Sequence, residues 1–232
     1  MKISIITVTY NSERFINHCL NSVSFQTYKN YEHIIIDGAS NDNTLSILNN
    51  HNSKKKIIIS KPDKGMYYAM NSGIKKSKGD IVAILNSDDF YSHQNVLYNV
   101  AKYFKKYKFI DGCYSDLIYV DRENVTKIVR KWKSSKFTKG SHAKGWSIPH
   151  TTLFLRREIY DKFGFFDTNF KFASDIDLMV RFFEIHNVKA KYVPDTFITM
   201  RFGGASTSSL IRIILQNIEI LKSFKKNKIN YK

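Results

Sequence analysis

Asp80-Ile81-Val82-Ala83-Ile84-Leu85-Asn86-Ser87-Asp88-Asp89 is an aliphatic run that stops at two adjacent carboxylates. A continuous apolar run, without the alternation of a half-exposed strand, suits a parallel strand covered on both faces. Ligands of open α/β sheets gather at the carboxyl ends of such strands, so Asp88 and Asp89 stand where a substrate belongs. Side by side, two carboxylates repel unless a cation lies between them and something anionic. Hard oxygen ligands favour magnesium or manganese over zinc, and a metal-held diphosphate is the natural third party.

The same reading extends on both sides of this run. Residues 3–9 form an aliphatic first strand, and the helix after it repeats Phe15, Ile16, Cys19, Leu20 and Val23 at helical spacing, with Asn11 and Ser12 available as caps. Residues 31–36 make a second strand ending at Asp37-Gly38, followed by a helix over 43–50, a strand over 57–60 and a helix over 68–76. Strands alternating with helices predict βαβ units and a parallel sheet over residues 1–108. Beyond residue 108 the alternation fades. Residues 112–121 and 125–132 read as an antiparallel hairpin, 138–147 as a loop, 150–155 as strand, 158–163 as helix and 174–185 as a strong helix. The expected organisation is one unit over 1–207, with a nucleotide-binding half over 1–108 and a second half of different topology over 109–207, and a C-terminal helix over 208–232.

The chain has 232 residues and a formal net charge of +17. Such a charge invites nucleic acid, anionic lipid or a phosphorylated substrate, and does not choose among them. No stretch reaches the roughly 18 apolar residues of a membrane span, and the N-terminus lacks a signal-type cleavage site, so a cytoplasmic place is expected. Cys19 and Cys113 form no CxxC or Cys/His pattern and read as packed thiols. The end of the chain, 210–228, is helical in period, aliphatic and closed by lysines, which suits an anionic membrane surface, with docking on the catalytic unit or a dimer contact as the alternatives.

Three strand ends of the first half carry polar groups: Thr9-Tyr10-Asn11, Asp37-Gly38-Ala39-Ser40 and Asp88-Asp89. In a parallel sheet these share one edge. Thr9 and Asn11 can bond a base or ribose, and Asp37 can accept from a base N–H or a ribose hydroxyl, its alternative being a plain turn residue. Neither GxGxxG nor GxxxxGK[ST] occurs, so a diphosphate would be met by metal and side chains. Lys64, ahead of a helix whose N-terminus itself favours phosphate, is one such side chain.

Taken together, Ser4-Ile5-Ile6-Thr7-Val8-Thr9-Tyr10-Asn11, Ile36-Asp37-Gly38-Ala39-Ser40, Asp63-Lys64-Gly65-Met66-Tyr67-Tyr68-Ala69-Met70-Asn71-Ser72-Gly73 and Asn86-Ser87-Asp88-Asp89 resemble glycosyltransferase family 2. The resemblance continues in order through Pro149 to Arg157, Phe163 to Asp167, Ala173 to Arg181 and Gly203 to Ser206. It implies a GT-A fold, in which a Rossmann-like, mostly parallel sheet flanked by helices joins an antiparallel acceptor-side portion. It also implies a nucleotide-diphosphate sugar donor, a divalent metal (Mn2+ or Mg2+) and inversion at the anomeric carbon. By position, Thr9, Asn11 and Asp37 would hold the nucleoside, Asp88 the ribose or sugar side and Asp89 the metal, while Lys64 would face the diphosphate. The family pattern often has aspartate where this chain has Tyr68, and glycine where it has Phe165.

Helical geometry and the resemblance both single out Asp175 as catalytic base. It shares a face with Leu178, Met179 and Phe182, so it points inward, and at the first turn of its helix it stays ionised. Asp177 shares a face with Arg181 and Glu184 and reads as a surface ion-pair residue. His150 could reach the acceptor or a phosphate from the sheet edge. Gly203 and Gly204 with Ser206 and Thr207 read as a loop over the donor or a plain turn, and Trp146 as packing rather than a sugar platform. The expected acceptor is a saccharide or lipid-linked saccharide in O-antigen, capsule or exopolysaccharide synthesis. A nucleotidyltransferase would also use paired carboxylates and metal, yet gives Asp175 no task. A nucleic-acid binder explains the charge but leaves Asp37, Asp88 and Asp89 unexplained.

Overall fold

The computed structural model describes residues 1–203 and 210–230. Strands β1 (Ile3–Thr9), β2 (Tyr31–Asp37), β3 (Lys56–Ser60) and β4 (Ile81–Ile84) are joined by helices α1 (Ile16–Ser24), α2 (Thr44–Asn50) and α3 (Met66–Lys76), and pair in parallel in the order β3-β2-β1-β4. Right-handed crossovers through helices cover both faces of such a sheet, which is why β1, β2 and β4 are buried along their whole length. On one face Ile3 and Ile5 pack with Ile16, Cys19 and Leu20 of α1, and on the other Ile6 and Val8 pack with Met70 and Ile74 of α3. Gly73 permits that second contact, because a Cβ there would lie 2.4 Å from Cγ2 of Ile6.

The sheet continues into the second half through β5 (Phe90–Tyr91), β6 (Gly112–Val120), β7 (Ile128–Trp132), β8 (Phe154–Arg156) and β9 (Ala190–Arg201). β8 runs antiparallel to β4 and β6, β7 antiparallel to β6, and β9 parallel to β6. The hairpin expected over 112–132 is present as β6 and β7. Helix α4 (Val96–Lys106) and strand β9 were not expected from the sequence. In α4, Val96, Val100 and Phe104 do repeat at helical spacing, whereas Pro194 interrupts the β9 pattern.

Two expectations are corrected. Residues 150–152 form a 3-10 turn rather than strand, closed by the Thr152 amide and hydroxyl donating to the Pro149 carbonyl, both at 2.9 Å. The helix over 174–185 is α6 (Ser174–Met179) followed by a π-helical stretch, Val180–Ile185. Between β8 and α6 lies helix α5 (Arg157–Phe163), and α7 (Leu210–Lys226) packs against α6. Among the described residues no helix is long and apolar enough to cross a membrane. The expected loop residues Gly204, Ser206 and Thr207 lie outside the described residues.

Candidate active site

Strand register gathers the predicted residues along one edge of the sheet. Thr9 ends β1 beside Asp37 of β2, and the Leu85 amide donates to Ile6 O at 2.9 Å, so Asn86 to Asp89 emerge at the level of Thr7 to Thr9. The loops after β1 and β4 meet where the Ser12 and Ser87 hydroxyls lie 2.9 Å apart. Because β8 runs antiparallel to β4, with Ala83 opposite Phe154, the turn holding His150 precedes β8 beside the carboxyl end of β4.

Asn11 and Ser12 do not cap α1, which has no side-chain cap; instead Asn11 has a left-handed φ of 49° and its side-chain oxygen accepts from the Asn41 amide at 3.0 Å. Asp37 is fully buried. One carboxylate oxygen accepts from the Ser40 hydroxyl, the other from the Ser40 amide at 3.0 Å and the Ser60 hydroxyl at 2.6 Å. Together Asn11 and Asp37 fix the 38–41 loop. Beside it Tyr10 is 61 % exposed, so its ring offers a free face next to Gly38. The Thr9 hydroxyl is buried with no hydrogen-bond partner among the described residues, an unusual cost unless a ligand supplies one. Lys64 is exposed, one residue before Gly65, which has φ +130° and opens α3.

Asp89 is buried, and its carboxyl is pushed well above the usual carboxylate range by burial and by the Asp88 charge, against the Asn86 side-chain amide and Arg201. Asn86 donates to Asp89 at 3.0 Å, while its own side-chain oxygen is buried and unpartnered. That arrangement fits a hard divalent cation: two adjacent carboxyl groups beside an unpartnered amide oxygen, all hard oxygen donors. Among the described residues no cluster of three or more His, Cys, Asp or Glu side chains could enclose a metal. A cation here would complete its shell with water and phosphate oxygens, as magnesium sites do.

Around the pair stand cations that the sequence did not announce. Arg201, at the end of β9, donates to the Asp88 carbonyl at 2.6 Å and Arg122 lies 3.8 Å from the Asp88 carboxylate. The guanidiniums of Arg14, Arg122 and Arg201 lie 5.3, 4.6 and 4.8 Å from the Phe15 ring.

Asp175 is 16 % exposed at the start of α6, with His150 Nδ1 3.2 Å from one oxygen and the Tyr67 hydroxyl donating to the other at 3.2 Å. Burial alone would raise its carboxyl. The His150 hydrogen bond and charge, the Ile176 amide and the Tyr67 hydroxyl outweigh burial and hold it below the usual carboxylate range, so it is ionised at neutral pH. The effect on Tyr67 is the reverse, since burial and the Asp175 charge push its hydroxyl far above its ordinary value. Nε2 of His150 and the hydroxyls of Thr151 and Ser174 are buried without partners among the described residues.

Asp177 corrects the sequence reading: it is fully buried, not on the surface. Its pairing with Arg181 is present at 2.9 Å, and the other contacts come from α7 and the residue after it: Ser223, Lys226 and Asn227 at 3.0–3.2 Å. Trp146 is a packing residue, donating to Ser135 at 2.9 Å amid Tyr114, Phe137 and His142. Tyr67, Arg122 and Arg201 went unread because no local pattern distinguishes them from ordinary helix, turn and strand positions.

Comparisons with known proteins agree with this architecture. A "PGL/p-HBAD biosynthesis glycosyltransferase" of Mycobacterium bovis is 26 % identical over 219 residues, spanning 93 % of this chain and 83 % of that protein. A Rickettsia prowazekii glycosyltransferase is 26 % identical over 226 residues, 95 % of this chain and 70 % of that one. In fold, the chain matches S. aureus TarS 1–349 in complex with UDP-GlcNAc at a TM-score of 0.75 and 19 % identity, over 97 % of this chain and 73 % of that one. The mannosyltransferase PcManGT of Pyrobaculum calidifontis, solved with GDP-Man and Mn2+, matches at 0.71 and 20 % identity, over 99 % of this chain and 65 % of that one. These likenesses establish the GT-A fold. The model of Glycosyl transferase family 2 matches residues 4–164, the stretch that carries Thr9, Asp37, Asp88, Asp89 and His150, and the chain belongs to that family.

Proposed function

We propose that this glycosyltransferase moves a hexosyl or N-acetylhexosaminyl group, with inversion, from a nucleotide-diphosphate sugar to a hydroxyl of a saccharide or lipid-linked saccharide. The observation that carries the reading is an ionised carboxylate, Asp175, held by Tyr67 and by His150, whose turn lies beside the carboxyl end of β4. In a single displacement, Asp175 takes the acceptor hydroxyl proton while the oxygen attacks the anomeric carbon. The bond to the diphosphate breaks on the opposite face and its electron pair leaves with the phosphate. Asp89, with Asp88 beside it, would hold a divalent cation that when bound offsets charge on the departing group. Lys64, Arg122 and Arg201 add fixed positive charge to that side. Thr9 would meet the nucleoside with its unpartnered hydroxyl and Tyr10 with its ring face, while Asp37 and Asn11 hold the loop against which the nucleoside lies.

The biosynthetic setting proposed is a bacterial surface polysaccharide, O-antigen, capsule or exopolysaccharide, made on the cytoplasmic side. α7 supports contact with an anionic membrane surface there. Ile211, Ile214, Ile218 and Leu221 are exposed and share one face at helical spacing, continued by the exposed Lys222 and Lys225.

A thermal-shift panel of UDP-, GDP-, CMP- and dTDP-sugars with manganese tests the donor, since a ligand bound only by the folded state raises Tm. Asp89→Ala should lose the metal-dependent shift and turnover, whereas Asp175→Asn should keep the shift and lose turnover. Wild-type turnover in either variant would remove that assignment. Release of pyrophosphate from a nucleoside triphosphate would instead indicate nucleotidyl transfer.

A further inference from the structure

We propose that Glu219, on the C-terminal helix α7, is a positioning residue for the Asp175 base and that α7 serves as the brace of the catalytic helix. The proposal rests on the reading of Asp175 as base and extends it to an element outside the strand-edge site. The N-cap position of α6 is Ala173, which has no side chain with which to bond the free amides at the start of a helix. Glu219, from another part of the chain, instead holds the segment that leads into the helix, up to and including the N-cap amide. One of its oxygens accepts from the Lys171 amide at 3.0 Å, and the other accepts from the amides of Phe172 at 2.7 Å and Ala173 at 3.0 Å. Three successive amides turned onto one carboxylate form a nest, and this one ends two residues before Asp175.

A second set of contacts holds the same helix two residues after Asp175. The buried Asp177 carboxylate accepts from Ser223 at 3.1 Å, Asn227 at 3.0 Å and Lys226 at 3.1 and 3.2 Å, all from α7 or the residue after it. Glu219, Ser223 and Lys226 follow one another at helical spacing, so one polar face of α7 brackets Asp175 from both sides along the chain. The aliphatic residues Ile211, Ile214, Ile218 and Leu221 lie exposed away from that face, while Ser223 and Phe224 are buried. For a surface helix the polarity is partly inverted: Glu219, Ser223 and Lys226 bond the protein while the aliphatic residues, with Lys222 and Lys225, face outward. Such an inversion has a purpose if the buried bonds set the position of α6. Asp175 must meet an acceptor oxygen at hydrogen-bond distance, and a misplacement of about 1 Å can cost on the order of 100-fold in rate.

The test uses the full chain with Glu219→Gln, Glu219→Asp, Asp175→Asn and the double variant Glu219→Gln/Asp175→Asn. Donor binding is read by thermal shift, turnover at saturating donor and acceptor, and folding by circular dichroism. Glu219→Gln removes the negative charge and replaces one acceptor oxygen by a donor that opposes the amides. The expected result is a kcat about 10- to 100-fold below wild type with the donor-induced shift unchanged, a smaller loss for Glu219→Asp, and no further loss in the double variant. The proposal is overturned if folded Glu219→Gln turns over within twofold of wild type while Asp175→Asn is inactive, or if its defect lies in donor binding. Full activity of Asp175→Asn would overturn the base assignment instead, which keeps the two failures distinct. If Glu219→Gln does not fold, Glu219→Asp decides, with wild-type kcat as the overturning result.

Discussion

Nδ1 of His150 lies 3.2 Å from the Asp175 carboxylate, joining the 3-10 turn before β8 to the first turn of α6. That contact is the largest favourable contribution to the ionised state of Asp175. Removing it must move the carboxyl upward. For His150→Gln the acid limb of the kcat profile is expected to shift to higher pH, with a greater loss of activity near pH 6 than near pH 8. An acid limb unchanged from wild type would separate His150 from the proposed base, Asp175.

His33 is buried in β2 with Nε2 2.9 Å from the Thr7 hydroxyl, and burial first, then the His51 charge, lowers its pKa to about 3. An unfolded chain protonates this ring near the ordinary histidine value of 6.5, so between these values the unfolded state binds more protons. Stability therefore rises with pH across that window, by about 1.4 kcal/mol per unit from this group, and is fully present above the unfolded value. His33→Gln is expected to flatten the pH dependence of urea unfolding between pH 4 and 6. An equal slope in variant and wild type would show that acid loss originates elsewhere.

Gly73 of α3 packs against Ile6 of β1. The added carbon of Gly73→Ala would stand 2.4 Å from Ile6 Cγ2, in a strand with no room to move. Overpacking of this kind costs about 1–3 kcal/mol. Thermal unfolding should record a lower Tm, and the pair Gly73→Ala/Ile6→Val should recover part of it. No recovery would mean that helix propensity or backbone strain outweighs the contact.

The outer face of α7 makes a prediction of its own. Vesicles containing phosphatidylglycerol should pellet the full chain at low salt, and Ile214→Ser/Ile218→Ser should remain in the supernatant. High salt should weaken the wild-type interaction, since exposed charges are screened within about 8 Å at physiological ionic strength. Equal sedimentation of both proteins would exclude this face as the contact.

Much of the fold was legible because its signals are local. An unbroken aliphatic run specifies a strand buried on both faces, and a polar residue at its end specifies a position on the sheet edge; Thr9, Asp37, Asp88 and Asp89 needed nothing more. Order along the chain then implied parallel pairing, since short helical segments separate the strands. Strand β9, broken by Pro194, and the brief 3-10 turn at His150 escaped for the same reason, because each lacks a periodicity of its own.

What only the tertiary structure decided is which distant side chains satisfy the charges. From sequence, Asp177 has the spacing of an exposed ion pair with Arg181; Lys226 and Asn227, about fifty positions away, turn it into a buried anchor. Glu219 has the composition of a surface helix residue until three amides of the 171–173 segment close on it. Arg201 reaches Asp88 across 113 positions. Helical and strand periods describe neighbours within a turn or a ladder, whereas a buried charge is compensated by whatever the folded chain brings within hydrogen-bond distance. That choice is made by packing, after the local pattern has already been used.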